Sequence, residues 1–205
     1  MSVSAYPAAG GGIAVRRFLS RNRGTLIAGA VFLLLFLLID WVSAGPLTYF
    51  DVSFLSSGGA TSALAAVGQT IVILSGGFDL SAGAVISLVN VVLASSMDPA
   101  APTASIVAWT LAGIAIGMGV GAFNGFFIAV LRMQPIVVTL STMFILQGVT
   151  LLVMDKPGGY VGADLGNFYL GDAIPGWLPM PIVVILAVLL LWLWLKGTRF
   201  GTAIY

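Results

Sequence analysis

The chain has 205 residues with eight Lys and Arg, seven Asp and a net charge of +1, and only 7% of it is charged while 60% is hydrophobic. An ordinary soluble domain carries about 25% charged residues, so this composition excludes a soluble protein and leaves an all-α, polytopic membrane chain. Near-neutral charge without basic runs excludes nucleic acid. The absence of His, Cys and Glu removes zinc, haem, thiolate and Ser-His chemistry, so no enzyme, no metal site and no cofactor of its own is expected.

Residues 1–15, rich in Ala, Gly and Ser, read as a disordered tail. Arg16, Arg17, Arg21 and Arg23 precede the first apolar stretch, 24–42, which makes 1–23 a cytoplasmic segment because positive charge stays inside. Val42-Ser43-Ala44 before Gly45 resembles a cleavage region, yet the apolar run exceeds the about 7–15 residues of a signal core, and an uncleaved anchor is expected. Residues 24–205 then form a transmembrane domain with further apolar stretches at 54–75, 80–97, 103–131, 135–154 and 177–195. All six stretches have the continuity of helices, not the alternation of barrel strands. Threaded from a cytoplasmic N-terminus, they put Arg132, Lys196 and Arg199 inside and Lys156 outside. Asp40, Asp51, Asp98, Asp155, Asp164 and Asp172 fall outside, and Asp79 is the one acidic residue away from that face.

Between the second and third stretches lies Ser75-Gly76-Gly77-Phe78-Asp79-Leu80-Ser81-Ala82-Gly83. It reads as a helix stop and restart, a broken helix in which the glycines free the backbone and Asp79 or Ser81 accepts from amides of the next helix. An ionisable group amid apolar sequence is also a candidate for a solute route. The third stretch puts Gly83, Ser87, Asn90 and Ala94 on one face, and the fifth puts Thr139, Met143 and Gln147 on one. Uncharged polar faces of this kind suit a neutral polyol, or equally hydrogen bonds between helices; Asn90 is the first choice among them. In the fourth stretch Gly113, Gly117, Gly121 and Gly125 form a stripe for close helix packing, within the chain or at a dimer seam. As one straight helix this stretch measures about 43 Å, longer than the bilayer core, so tilt, protrusion or a break near Gly119 is expected.

Three blocks together resemble the ribose-type permeases of bacterial carbohydrate ATP-binding-cassette importers. They are Gly76-Gly77-Phe78-Asp79-Leu80-Ser81 with Gly83, then Gly121-Ala122-Phe123-Asn124-Gly125, then Pro135-Ile136-Val137-Val138-Thr139-Leu140-Ser141-Thr142-Met143. Phe78, Ile136 and Ser141 depart from the family's usual Ile, Phe and Gly. Order and spacing match from about residue 55 onward. The resemblance implies a multi-pass permease subunit of the bacterial inner membrane that forms the path for a monosaccharide. Its implied partners are a cytoplasmic ATPase that binds the ATP, a periplasmic sugar-binding protein, a second permease copy or paralogue, and the lipid bilayer. Candidates for the path are Asp79, Ser87, Asn90, Asn124, Thr139 and Gln147. The alternative, an ion-coupled secondary transporter or channel for a small neutral solute, needs buried acids, of which the chain offers Asp79. Family members continue beyond the tail that starts at Lys196, so the chain is expected to be the N-terminal part of a longer permease. The outer segment from Asp155 to Met180, with Tyr160, Phe168, Tyr169, Trp177 and three Asp, reads as a dock for the binding protein or as an aromatic belt over a solvated loop.

Overall fold

The computed structural model describes residues 18–42, 45 and 48–204. The expected disordered tail, Arg16, Arg17, and Ser43-Ala44 of the cleavage-like sequence lie outside the described residues. The chain divides into two compact units, with the boundary in sequence after Thr48. In the first, α1 (Arg23–Val42) is a single apolar helix of 20 residues, about 30 Å long, the thickness of a hydrocarbon layer.

The second unit contains α2 (Tyr49–Leu74), α3 (Ala82–Ser96), α4 (Thr103–Gly125), α5 (Pro135–Val153), α6 (Ala163–Leu170), the strands β1 (Asp172–Ile174) and β2 (Leu178–Pro179), α7 (Met180–Lys196) and α8 (Arg199–Ile204). All six apolar stretches are therefore helical. Among the described residues four helices are long and apolar enough to cross a membrane: α1, α2, α4 with its continuation to Val130, and α5. At 15 and 17 residues, α3 and α7 reach only about 22 and 26 Å. Sequence placed the start of α2 at 54; it begins at Tyr49, where Asp51 in the first turn suits the positive end of the helix dipole. The start of α7 moves from 177 to Met180 because the preceding residues pair as a hairpin and proline occupies the first turn, where its missing N–H costs nothing.

The break before α3 follows from two adjacent glycines. Gly76 has φ +76°, its N–H donates to the Ile73 carbonyl at 3.0 Å, and the Gly77 N–H donates to the Val72 carbonyl at 3.0 Å. This pair of bonds closes the C-terminus of α2 and turns the chain out of the helix, as left-handed glycine caps do. Gly76→Ala is expected to cost about 1–2 kcal/mol through its left-handed backbone. Gly76→Asn should cost less, since Asn tolerates that region; thermal unfolding in detergent compares the two.

No break occurs at Gly119, where α4 is regular. The irregularity comes later, as a π-helical turn at Phe126–Val130. There the Leu131 N–H reaches back to the Phe126 carbonyl at 3.3 Å and the Met133 N–H to the Phe127 carbonyl at 3.1 Å. Arg132, at φ +54°, ends the helix.

The buried centre is Ala84, Leu88 and Leu146, with Val85, Val92, Ile116, Val120 and Met143 against it. Thus α3 sits between α4 and α5, while α2 packs along α7. Part of the glycine stripe makes the α3–α4 contact: a Cβ on Gly113 would lie 2.9 Å from Leu93 and 3.0 Å from Val89, and one on Gly117 3.9 Å from Val85. Gly121 and Gly125 have open space instead. The stripe is an intramolecular packing seam over one half of its length and a clearing over the other.

Residues 155–180 form a hydrogen-bonded cap whose side chains are mostly exposed. The Tyr160 N–H donates to the Ala94 carbonyl at 2.8 Å and the Met180 N–H to the Gly171 carbonyl at 3.0 Å. The Thr103 hydroxyl donates to Asp164 at 2.9 Å, the Tyr169 hydroxyl to the Ser57 carbonyl at 2.7 Å, and the Tyr49 hydroxyl to Asp172. These bonds fasten the cap to α2, α3 and α4 at the end of the unit opposite the Gly76–Ser81 turn. Asp164 and Asp172 are engaged in holding it together.

Candidate functional site

The turn after Gly77 carries Asp79 and Ser81 into the protein. Asp79 Oδ1 accepts from the Ser81 N–H at 2.7 Å and from the Ser81 hydroxyl at 2.6 Å. Asp79 or Ser81 was expected to accept from amides of the next helix; Asp79 takes the N–H of Ser81, the residue that caps α3, while the Ser81 side chain makes no capping bond. Its hydroxyl is drawn to the carboxylate instead, because a hydrogen bond to a charged acceptor is about twice as strong as a neutral one.

Opposite this turn, Asn124 is 6% exposed on α4. Its Nδ2 donates to Ser81 Oγ at 2.9 Å, and its Oδ1 accepts from the Thr142 hydroxyl of α5 at 2.7 Å. The result is a directed relay in which Thr142 donates to Asn124, Asn124 to Ser81 and Ser81 to Asp79. Each hydroxyl has one proton to give, so the carboxylate at one end sets the direction of the whole chain. One turn away, the fully buried Thr139 donates to the Pro135 carbonyl at 2.9 Å and approaches the Phe78 carbonyl at 3.4 Å. Three segments distant in sequence are thereby tied at one level.

Two cavities flank the relay. The larger, about 350 Å³, lies between the Gly76–Asp79 turn, the end of α4, and Pro135 and Thr139. The smaller, about 250 Å³, lies between Ala65, the first turns of α3 and the Gly117–Asn124 part of α4. Asp79, Gly121 and Asn124 line both. The Gly76–Asp79 turn thus places non-helical backbone along a cavity wall. Among the described residues no protein donor reaches Asp79 Oδ2, and Asn124 keeps a second N–H beyond the one given to Ser81. An acceptor beside a donor matches a hydroxyl group, which both donates and accepts.

Of the residues singled out from sequence, Asp79, Asn124 and Thr139 meet here. Ser87, Asn90 and Gln147 do not: all three are exposed on the second unit, away from the cavities, and the Ser87 hydroxyl donates to the Gly83 carbonyl at 3.0 Å. Thr142 was missed, although it lies three residues from Thr139 on the face that carries the buried Val138 and Leu146.

Residues 52–205 match the family described as branched-chain amino acid transport system, permease component. The D-allose transport system permease protein AlsC of Escherichia coli K12 is 30% identical over 186 residues, 86% of this chain and 55% of that protein. The ribose import permease protein RbsC of the same organism is 34% identical over 151 residues, 71% of this chain and 46% of that protein. The galactofuranose transporter permease protein YtfT, also of Escherichia coli K12, is 35% identical over 144 residues, 69% of this chain and 41% of that protein. The chain thus spans about half the length of the curated relatives it matches. No solved structure matches it at a significant level.

Proposed function

Because the chain belongs to the family of branched-chain amino acid transport system permease components, we propose that it forms part of the translocation path of an ATP-driven importer, with a monosaccharide as the solute. The observation that carries the choice of solute is the lining of the larger cavity, which offers Asp79 and Asn124 but no Lys or Arg. An amino acid would bring a carboxylate with no cation to meet it, whereas a sugar brings neutral hydroxyls suited to an acceptor beside a donor. At about 350 Å³ the cavity lies toward the small end of the about 300–1,000 Å³ usual for small-molecule sites. The relatives named for D-allose, ribose and galactofuranose support the same solute class.

In this reading the chain is a conduit, not an enzyme. ATP is bound and hydrolysed by a cytoplasmic ATPase, the sugar arrives from a periplasmic binding protein, and a second permease copy or paralogue completes the path across a bacterial inner membrane. The chain itself supplies hydrogen-bonding groups that turn over with the helices carrying them. Uptake of labelled pentoses, hexoses and branched-chain amino acids by cells expressing the complete importer tests this. At least one monosaccharide should depend on the chain, and Asp79→Asn should lower its uptake about ten-fold, the equivalent of one hydrogen bond to a charged group. Uptake of leucine, isoleucine or valine and of no sugar would overturn the reading.

A further inference from the structure

The two cavities adjoin. Asp79, Gly121 and Asn124 line both, so these residues form a shared wall. The Asp79–Ser81 turn contributes one half of it and α4 the other, and Gly121 adds no side chain of its own. What holds the halves together is the bond from Asn124 to Ser81 Oγ. That bond requires the Asn124 amide to face one way, with Nδ2 toward Ser81 and Oδ1 toward Thr142.

Thr142 sets that orientation. Thr70, Thr110, Thr139, Ser141 and Thr150 donate to the carbonyl four residues back on their own helices. Thr142 sends its proton across to α4. It is 4% exposed and lines neither cavity, so it acts only through Asn124. We propose that Thr142 is a positioning residue: its hydroxyl orients Asn124, and Asn124 in turn keeps the Asp79–Ser81 turn closed as a septum between the two cavities. Without the hydroxyl the amide is released to rotate, the Ser81 bond opens and the cavities join. The proposal rests on the reading of these cavities as parts of a solute path. Its test reports the septum directly, so it can fail while that reading stands, and the reverse.

The chain contains no cysteine, which makes single-cysteine labelling clean. Ala129→Cys reports the larger cavity and Ala65→Cys the smaller. The full chain is assembled in membrane vesicles, and a membrane-impermeant methanethiosulfonate is added from the face on which Arg132 lies. With Thr142 intact, Ala129→Cys should react and Ala65→Cys should be protected. Adding Thr142→Val, which keeps the shape and removes the hydroxyl, should speed labelling at Ala65→Cys about ten-fold, the rate change that one lost hydrogen bond allows. Thr142→Ser keeps the hydroxyl and removes the methyl, and should leave the protection in place. Acceleration by Thr142→Ser and not by Thr142→Val would assign Thr142 to packing and overturn the proposal. Equal labelling at both cysteines before any change at Thr142 would overturn it too. If Thr142→Val fails to insert, Ser81→Ala cuts the same relay and must give the same acceleration.

Discussion

Asn124→Leu is expected to abolish most transport while leaving the protein inserted, with uptake by the complete importer down about 100-fold. Asn124 bonds to Thr142 at 2.7 Å and to Ser81 at 2.9 Å. Leucine has the same branched outline and makes neither bond. Two lost hydrogen bonds at about 1.4 kcal/mol, a factor of ten each, give the figure. The cost in stability is smaller, about 1–2 kcal/mol, because hydrogen bonds between membrane helices average only about 0.6 kcal/mol. The stranded groups also find other partners: Ser81 keeps Asp79, and Thr142 can turn to the carbonyl four residues back, as Thr139 and Thr150 do. Uptake and thermal unfolding in detergent separate the two effects. An inserted Asn124→Leu protein with normal uptake would remove the relay from the transport path.

The second large effect belongs to the cap. Gly159→Ala is expected to destabilise the protein by about 3 kcal/mol and to expose residues 155–180 to protease. Gly159 has φ +85°, and a Cβ there would overlap the Ala94 carbonyl and lie 2.9 Å from the Ala94 side chain. A left-handed alanine alone costs about 1–2 kcal/mol. The overlap adds more because its target is backbone, which cannot swing aside. Relief requires lifting the segment off α3, which breaks the 2.8 Å bond from the Tyr160 N–H to the same carbonyl at about another 1 kcal/mol. Gly158 is the control, since a Cβ there meets nothing within 4 Å. Gly158→Ala should leave both the unfolding midpoint and the digestion pattern in place. Equal digestion of the two variants would show that the cap does not depend on this contact.

Much of the architecture is a local property and was legible. Runs of apolar residues long enough for a bilayer become helices because no other structure satisfies their backbone in lipid. Paired glycines followed by Asp79 stop a helix for reasons contained in those residues. Asn124 was singled out only through the resemblance of its block, and not by a local rule.

The polar faces were less legible, and the reason is angular. At 100° per residue, choosing Thr139, Met143 and Gln147 as one face lets the stripe drift, so that Gln147 stands about 80° from Thr139. The buried face of α5 is Val138, Thr139, Thr142 and Leu146; the line through Val138, Thr142 and Leu146 lies about 100° round the helix from the chosen one, so Thr139 sits at its edge and Gln147 outside it. On α3 the buried stripe is Ala84 and Leu88, and Asn90 stands about 140° from it. A polar residue shows that its helix has a polar face, but not what that face meets.

The sequence by itself determined that this is an all-α membrane chain with a broken helix after α2, because length, hydropathy and glycine geometry act within a few residues of one another. Only the tertiary structure decided that Asp79, Ser81, Asn124 and Thr142 form one relay between two cavities. That depends on how far each helix is rotated about its own axis, and the rotation is set by contacts such as Gly113 against Val89 and Leu93, between residues that no local pattern connects.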